Sequence, residues 1–129
     1  MSPVLSATAL RVHHVQITVP RGAEDAARAF YCGVLGLREI VKADALQARG
    51  GFWMECGLTQ VHVGVEDGVE RTATKAHVAY QVSDLAAVRA RMIEAGIEPI
   101  EGIPIPGMNR FEIRDPFGNR VELLQLTGD

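Results

Sequence analysis

The stretch His14–Val19, HVQITV, recurs about sixty residues later as HVAYQV at residues 77–82. A second pair of segments repeats at a similar spacing, VHV around His62 and VEL around Glu122. The chain therefore resolves into two related halves, each with two metal-capable side chains on predicted strands. Three histidines and one glutamate at matching positions favour a metal site.

Hydrophobic periodicity gives both halves the same order of elements, a strand, a helix and three strands. A polar linker at about residues 67–75 separates a first module, about residues 10–66, from a second, about 76–126, and residues 1–9 are expected to form a flexible tail. Ser83 is the expected N-cap of the second helix. The fold class predicted is α+β, with two βαβββ modules in tandem. The strands expected are 11–19, 37–41, 51–56, 60–65, 76–82, 97–100, 110–114 and 120–126, and the helices 23–33 and 84–95.

The alternation of side chains along each strand assigns the metal-capable residues to one face of the sheet. Valines and isoleucines next to His14, His62 and His77 can pack on the helices, as can Val121 and Leu123 beside Glu122. The histidines and the glutamate then lie on the opposite face. A curved sheet with its helices outside would direct these four side chains into a cup.

Composition narrows the classes of function. A chain of 129 residues favours one compact domain, and a net charge of −3 with interspersed signs predicts neither a nucleic-acid nor a membrane surface. The N-terminal segment lacks the basic region of a signal peptide. Cys32 and Cys56 have no CxxC partner, so free thiols in the cytoplasm are expected.

Several phrases resemble the vicinal oxygen chelate superfamily, which includes glyoxalase I, fosfomycin-resistance thiol transferases, extradiol dioxygenases and bleomycin-resistance proteins. They are His14-Val15 and His77-Val78 opening two strands, FYCGVLGL at residues 30–37 and DPFGNRVEL at residues 115–123. The resemblance covers about residues 10–126. It implies paired βαβββ modules that form curved mixed sheets, with the helices on the outer face and a cup around a divalent metal.

The resemblance also implies roles for single residues. His14, His77 and Glu122 would be metal ligands, and Glu122 would also be the catalytic base. His62 stands where glyoxalase I enzymes carry an acidic fourth ligand, so it is a fourth ligand, a hydrogen-bond donor to a ligand, or pocket lining. The metal would be Fe, Mn, Ni, Zn or Co. In single-chain members of this size the cup is commonly shared across a homodimer.

Further residues are candidates for the pocket. Arg110 shares a strand face with Glu112 and Arg114 and suits an anionic group on a substrate, although a solvent-facing edge is the alternative. Trp53 and Gln16 are expected to contact substrate, and Trp53 and Phe52 must face opposite ways. His13 is adjacent to His14 in the strand, so its side chain is expected to lie on the opposite face and to be structural. Residues 102–109 form either a lid or an ordinary loop.

Two classes of function follow. The first is a divalent-metal-dependent enzyme that binds a small oxygen-rich substrate through two oxygens, with lyase, isomerase or thiol-transfer chemistry. The second is a metal-free binding protein of the bleomycin-resistance type. A ring-cleaving dioxygenase is a further alternative, although such enzymes usually have longer chains and Tyr80 has the wrong parity to enter the cup. The metal content of the protein distinguishes the metal-dependent enzyme from the metal-free binding protein.

Overall fold

A computed structural model describes residues 9–128 of the chain, so part of the predicted N-terminal tail, residues 1–8, lies outside the described residues. The first half contains four strands, a short α-helix that continues as one π-helical segment, and a 3-10 segment. In chain order these are β1 His14–Val19, α1 Glu24–Arg28, the π-helical segment Ala29–Val34, β2 Arg38–Ile40, the 3-10 segment Asp44–Arg49, β3 Phe52–Cys56 and β4 Thr59–Val65.

The second half repeats the strand–helix–strand order of the first. After a 3-10 turn at Arg71–Ala73, its elements are β5 His77–Gln81, α2 Leu85–Glu94, β6 Ile100–Glu101, β7 Met108–Arg114 and β8 Arg120–Leu126. The α+β fold of two tandem βαβββ modules is thereby confirmed.

Each half forms its own four-stranded mixed sheet. The strand orders are β1-β4-β3-β2 and β5-β8-β7-β6, with the first neighbouring pair parallel and the other pairs antiparallel in both sheets. One hydrophobic core joins the halves, and it takes its buried residues from the helices and from one face of each sheet. The opposite face of each sheet, which carries His14 and His62 or His77 and Glu122, is called the open face below.

Four local predictions need correction. Asp84, not Ser83, caps α2, because the Asp84 carboxylate accepts a hydrogen bond from the amide of Ala87 at 3.1 Å. The strand predicted at 97–100 starts at Ile100, because the amide of Ile97 still bonds to the carbonyl of Met92. The regular α-helix predicted over 23–33 is α-helical only to Arg28. Residues 44–49, for which no element was predicted, form a 3-10 segment.

The DPFGN phrase forms a turn that fastens the two modules together. The Asp115 carboxylate accepts hydrogen bonds from the amides of Phe117 and Asn119 at 2.9 and 2.8 Å, and from the hydroxyl of Tyr31 in the first module at 2.6 Å. The side-chain amide of Asn119 donates to the backbone carbonyl of Thr18 on β1 at 2.9 Å. Burial and the neighbouring Asp115 carboxylate raise the pKa of Tyr31 far above its usual value. The segments FYCGVLGL and DPFGNRVEL, which carry the family resemblance, therefore contact each other and join the two modules.

In the described part of the chain, no helix has the length and the apolar character needed to cross a membrane.

Candidate functional site

Three rings stack on the open face of the first sheet. The His62 ring on β4 lies between His14 on β1 and Trp53 on β3, with ring centroids 4.2 and 4.1 Å away and planes tilted by 12° and 4°. The register explains the column, because Trp53 pairs directly with His62 and all three residues have the same parity. Phe52, next to Trp53, is buried on the core face, as its opposite parity predicts.

The middle ring of this stack is held in its neutral form. His62 is buried, and its Nε2 lies 2.8 Å from the Gln60 amide oxygen. Because that oxygen only accepts, Nε2 carries the proton and Nδ1 keeps its lone pair. Burial, with smaller contributions from the charges of His14 and His13, lowers the pKa of His62 to about 4. At neutral pH His62 is thus an imidazole, the form that binds a metal.

The open face of the second sheet is ionic instead. The Glu122 carboxylate on β8 is buried, and its Oε1 lies 3.4 Å from both His77 Nε2 and Arg110 Nη1. Arg110 also lies 3.8 Å from Glu112, and Glu112 forms a short ion pair with Arg120. The Arg110 guanidinium thus faces Glu122 on this open face, and its role in binding an anionic group of a substrate stays a prediction.

The tautomer of His77 follows from its other contact. His77 Nδ1 lies 3.0 Å from the backbone carbonyl of Lys75, which can only accept, so Nδ1 donates. The nitrogen that faces the Glu122 carboxylate is then Nε2. A histidine that binds a metal usually donates the N–H of its other ring nitrogen to a carboxylate, a backbone carbonyl or water. His77 therefore has the arrangement of a histidine that binds a metal through Nε2.

The four predicted ligands form two pairs in the chain. His14 and His62 lie together on the first sheet, and His77 and Glu122 lie together on the second. Among residues 9–128, no three or more His, Cys, Asp or Glu side chains come close enough to hold a metal ion. Each pair offers two donors of the types that divalent transition metals accept, so the residues fit such an ion, but one pair alone leaves its coordination incomplete.

A cavity of about 540 Å³ opens over the stacked rings. Of the predicted pocket residues, His14, His62, Trp53 and Gln16 line it, whereas Arg110 lies on the other sheet. A cavity of this size can hold a small organic molecule.

Three lining residues were missed or misjudged from the sequence. His13 lies beside the stack, with its ring edge on His14 at a centroid distance of 5.2 Å, because β1 begins only at His14 and the strand parity stops there. Lys42 and Arg49 also line the cavity. The one signal for Lys42 was that it continues the alternation of Ile40 past the end of β2. No pattern pointed to Arg49, which the 3-10 segment carries to the cavity.

Comparison with known proteins gives a consistent family. Residues 11–123 match the profile of the Glyoxalase/Bleomycin resistance protein/Dioxygenase superfamily. A protein from Bacillus anthracis described as glyoxalase-family has a similar structure, with 37% identity, a TM-score of 0.86, and coverage of 98% of this chain and 100% of that one. No curated protein sequence matches the chain.

Two more distant solved structures share the fold. A glyoxalase/dioxygenase from Nostoc punctiforme is 24% identical, with a TM-score of 0.76 and 98% coverage of both chains. Lactoylglutathione lyase from Agrobacterium tumefaciens is 22% identical, with a TM-score of 0.68 and coverage of 89% of this chain and 92% of that one. At these identities the likeness extends to the fold and not to the reaction.

Proposed function

Because the chain belongs to the Glyoxalase/Bleomycin resistance protein/Dioxygenase superfamily, also called the vicinal oxygen chelate superfamily, we propose that it is a divalent-metal-dependent enzyme. Its substrate is a small oxygen-rich molecule that contacts the metal through two oxygens, and the reaction is of the lyase, isomerase or thiol-transfer type. A superfamily that often binds a divalent metal supports this proposal, and so does the donor chemistry of the two open faces.

The observation that carries the proposal is the separation of the ligand-type residues into two incomplete pairs. His14 with His62 offers two imidazole nitrogens, and His77 with Glu122 offers a nitrogen and a carboxylate. Neither pair is a site alone, yet together they make a donor set with room for substrate oxygens. We propose that two chains associate as a homodimer, so that one pair from each chain closes each site.

The residues of the chain have distinct roles in this proposal. A bound divalent metal would supply Lewis acidity towards two substrate oxygens. Glu122 is the one carboxylate of the four ligand residues and would take a proton from the substrate, while the nearby Arg110 guanidinium holds the carboxylate in place. The Trp53 ring offers a flat apolar surface beside His62 in the cavity, against which a substrate can pack.

Elemental analysis of protein purified without chelator or affinity-tag metal tests the proposal. We expect about one equivalent of Fe, Mn, Ni, Zn or Co per chain, and its loss in both His14→Ala and Glu122→Ala. His13→Ala is the comparison variant and should lose less metal than either, because the His13 ring contacts the His14 ring but is not in the ligand set. Absence of metal from the wild type, even after soaking in these ions, would contradict the proposal.

A second candidate function is metal-free binding of a small molecule, as in the bleomycin-resistance type. The stacked Trp53 and the cavity above it favour this alternative, because an aromatic ring beside a cavity of this size can bind a small organic molecule without a metal. Ring cleavage has less support. The Tyr80 side chain is buried in the core and away from the open face, as its parity predicts.

A further inference from the structure

The first-module cavity contains a buried cation that has no carboxylate partner. Lys42 is 8% exposed, and its ammonium donates to the carbonyl of Gly50. One carbonyl uses one of the three N–H donors of a lysine. In the described part of the chain, no carboxylate oxygen lies within 4 Å of this ammonium, although ion pairs of this length involve six of the arginines. A buried charge is costly unless it is paired, so this one calls for an anionic partner.

The rest of the cavity has the same electrostatic character. Arg49, at the end of the 3-10 segment, is exposed and also lines it. None of the described residues that line the cavity is an aspartate or a glutamate. This contrasts with a chain in which acidic residues outnumber basic ones, 16 to 13. The cavity is therefore locally positive on a protein of net negative charge.

Glycines separate Lys42 from the stacked rings. Ile40 pairs with Trp53 across β2 and β3, so extending this register by two residues sets Lys42 opposite Gly51, with Gly64 on the next strand. Gly51 has a φ of +83°, and a Cβ on it would lie 2.0 Å from the carbonyl oxygen of Val63, so a side chain is excluded there. Gly50 and Gly64 line the cavity, and the Gln16 side chain lies beside Gly64. Because Lys42 and the three stacked rings line the same cavity, one ligand can contact both.

We propose that this cavity binds a planar or short organic molecule through an oxyanion group, a carboxylate or a phosphate, which is held by Lys42 with Arg49 at the rim. This inference rests on the function proposed above, since it names the substrate class of the same site. The metal end and the anion end are separate contacts, so each can be tested without the other.

Binding of simple anions tests the inference. Trp53 is the single tryptophan of the chain and lines the cavity, so its fluorescence reports occupancy. Benzoate and phenyl phosphate are the anionic probes and distinguish a carboxylate from a phosphate, and benzyl alcohol is the neutral one. We expect saturable binding of at least one anion by the wild type, and an affinity about tenfold or more lower for Lys42→Met, as loss of a charged hydrogen bond predicts.

Matched variants keep the test specific. Lys75→Met removes the other lysine of the chain, which is exposed, and should bind like the wild type. Lys42→Arg keeps the charge and should bind more tightly than Lys42→Met. Circular dichroism checks that each variant is folded. Equal affinity for benzoate and benzyl alcohol, equal anion affinity in Lys42→Met and Lys75→Met, or no anion binding below about 10 mM in a folded wild type would overturn the inference.

The titrations are done on protein as purified and after treatment with a chelator, beside light scattering. Lys42-dependent anion binding to a protein that takes up no metal would support the anion site and contradict the metalloenzyme. Metal binding with anion affinity that is independent of Lys42 would do the reverse. If Lys42→Met instead abolishes association of two chains and leaves anion affinity unchanged, the partner of Lys42 is a carboxylate of a second copy, and the inference is wrong.

Discussion

The open faces of the two sheets have the same strand topology and opposite chemistry. The first has a column of stacked aromatic rings around His62, and the second has an ionic network around Glu122. Trp53 of the first sheet pairs with His62, and Glu112 of the second pairs with Glu122 at the corresponding position. Because the two sheets share their strand order but not the side chains on their open faces, the two faces are not interchangeable.

The two modules also differ in the partners of one cationic side chain, Lys42 in the first and Arg110 in the second. In the first, Lys42 comes from the edge of the sheet and lies opposite a glycine, Gly51. In the second, the arginine at the position of that glycine, Arg110, reaches over Gly102 at the edge, where a Cβ would lie 2.9 Å from its guanidinium. Arg110 has carboxylate partners within its own sheet, and Lys42 has none in the described chain. The first module therefore requires a partner from outside its sheet.

The largest expected effect separates the two glutamates of the ionic face. Glu122→Gln should lower metal affinity by about 100-fold or more, because an amide is a weak ligand for a transition metal. Glu112→Gln, which also lies beside Arg110, should lower it less than about tenfold. Isothermal titration with Zn²⁺ or Ni²⁺ measures both. Equal losses in the two variants would mean that the ionic face acts only through its net charge.

Acidification should destabilise the folded chain through His62. The pKa of His62 is lowered to about 4 from 6.5, so between these pH values the unfolded chain binds a proton that the folded chain does not. The free energy of unfolding then falls as pH decreases from about 6.5 to about 4, by up to about 3 kcal/mol. His62→Gln should lack this part of the fall. Urea unfolding of chelator-treated protein at several pH values measures it, and parallel curves for the two proteins would refute the assignment.

Loss of Arg110 tests whether the ionic face is balanced. Arg110→Met should lower the free energy of unfolding by about 2 kcal/mol, because it leaves the buried carboxylate of Glu122 and the half-buried one of Glu112 with fewer cationic partners. If Arg110 is replaced together with Glu122→Gln, less should be lost than the two single changes predict. Thermal unfolding of the double-mutant cycle measures the coupling. Additive losses would show that the two side chains do not interact.

The smallest effect concerns an exposed ion pair on the first sheet. Arg38 and Glu55 lie across β2 and β3, and the Arg38 side chain is 73% exposed. Arg38→Met should change stability by less than about 1 kcal/mol, whereas Arg120→Met, which removes a half-buried partner of Glu112, should cost more. Urea unfolding compares them. A larger loss for Arg38→Met would contradict the view that burial decides the value of these pairs.

Much of this arrangement follows from strand parity in the sequence. Alternation placed His14, His62, His77 and Glu122 on faces opposite the core, and the echoed segments predicted two modules of the same topology. Parity fixes the face of a strand that a side chain occupies, but not the relative position of two sheets. That position depends on packing and on junction contacts such as Tyr31 with Asp115, so the separation of the two pairs within one chain could not be predicted.

Irregular segments account for the other misses. Lys42 lies in the irregular stretch after β2 and Arg49 lies in a 3-10 segment, so hydrophobic periodicity reports neither, and His13 precedes the strand whose alternation excluded it. Sequence patterns report regular elements well because side-chain directions repeat there. Where the backbone is irregular, the direction of each side chain depends on contacts distant in the chain.

The central claim is that each metal site takes one pair of ligands from each of two chains. His14→Ala and Glu122→Ala are unfolded together, refolded as a mixture and assayed for bound metal beside each variant alone. Sites shared between chains predict that each variant alone binds no metal, whereas the mixture regains about a quarter of the wild-type amount, because half of the dimers are mixed and each has one intact site. A mixture as empty as its components would contradict the claim.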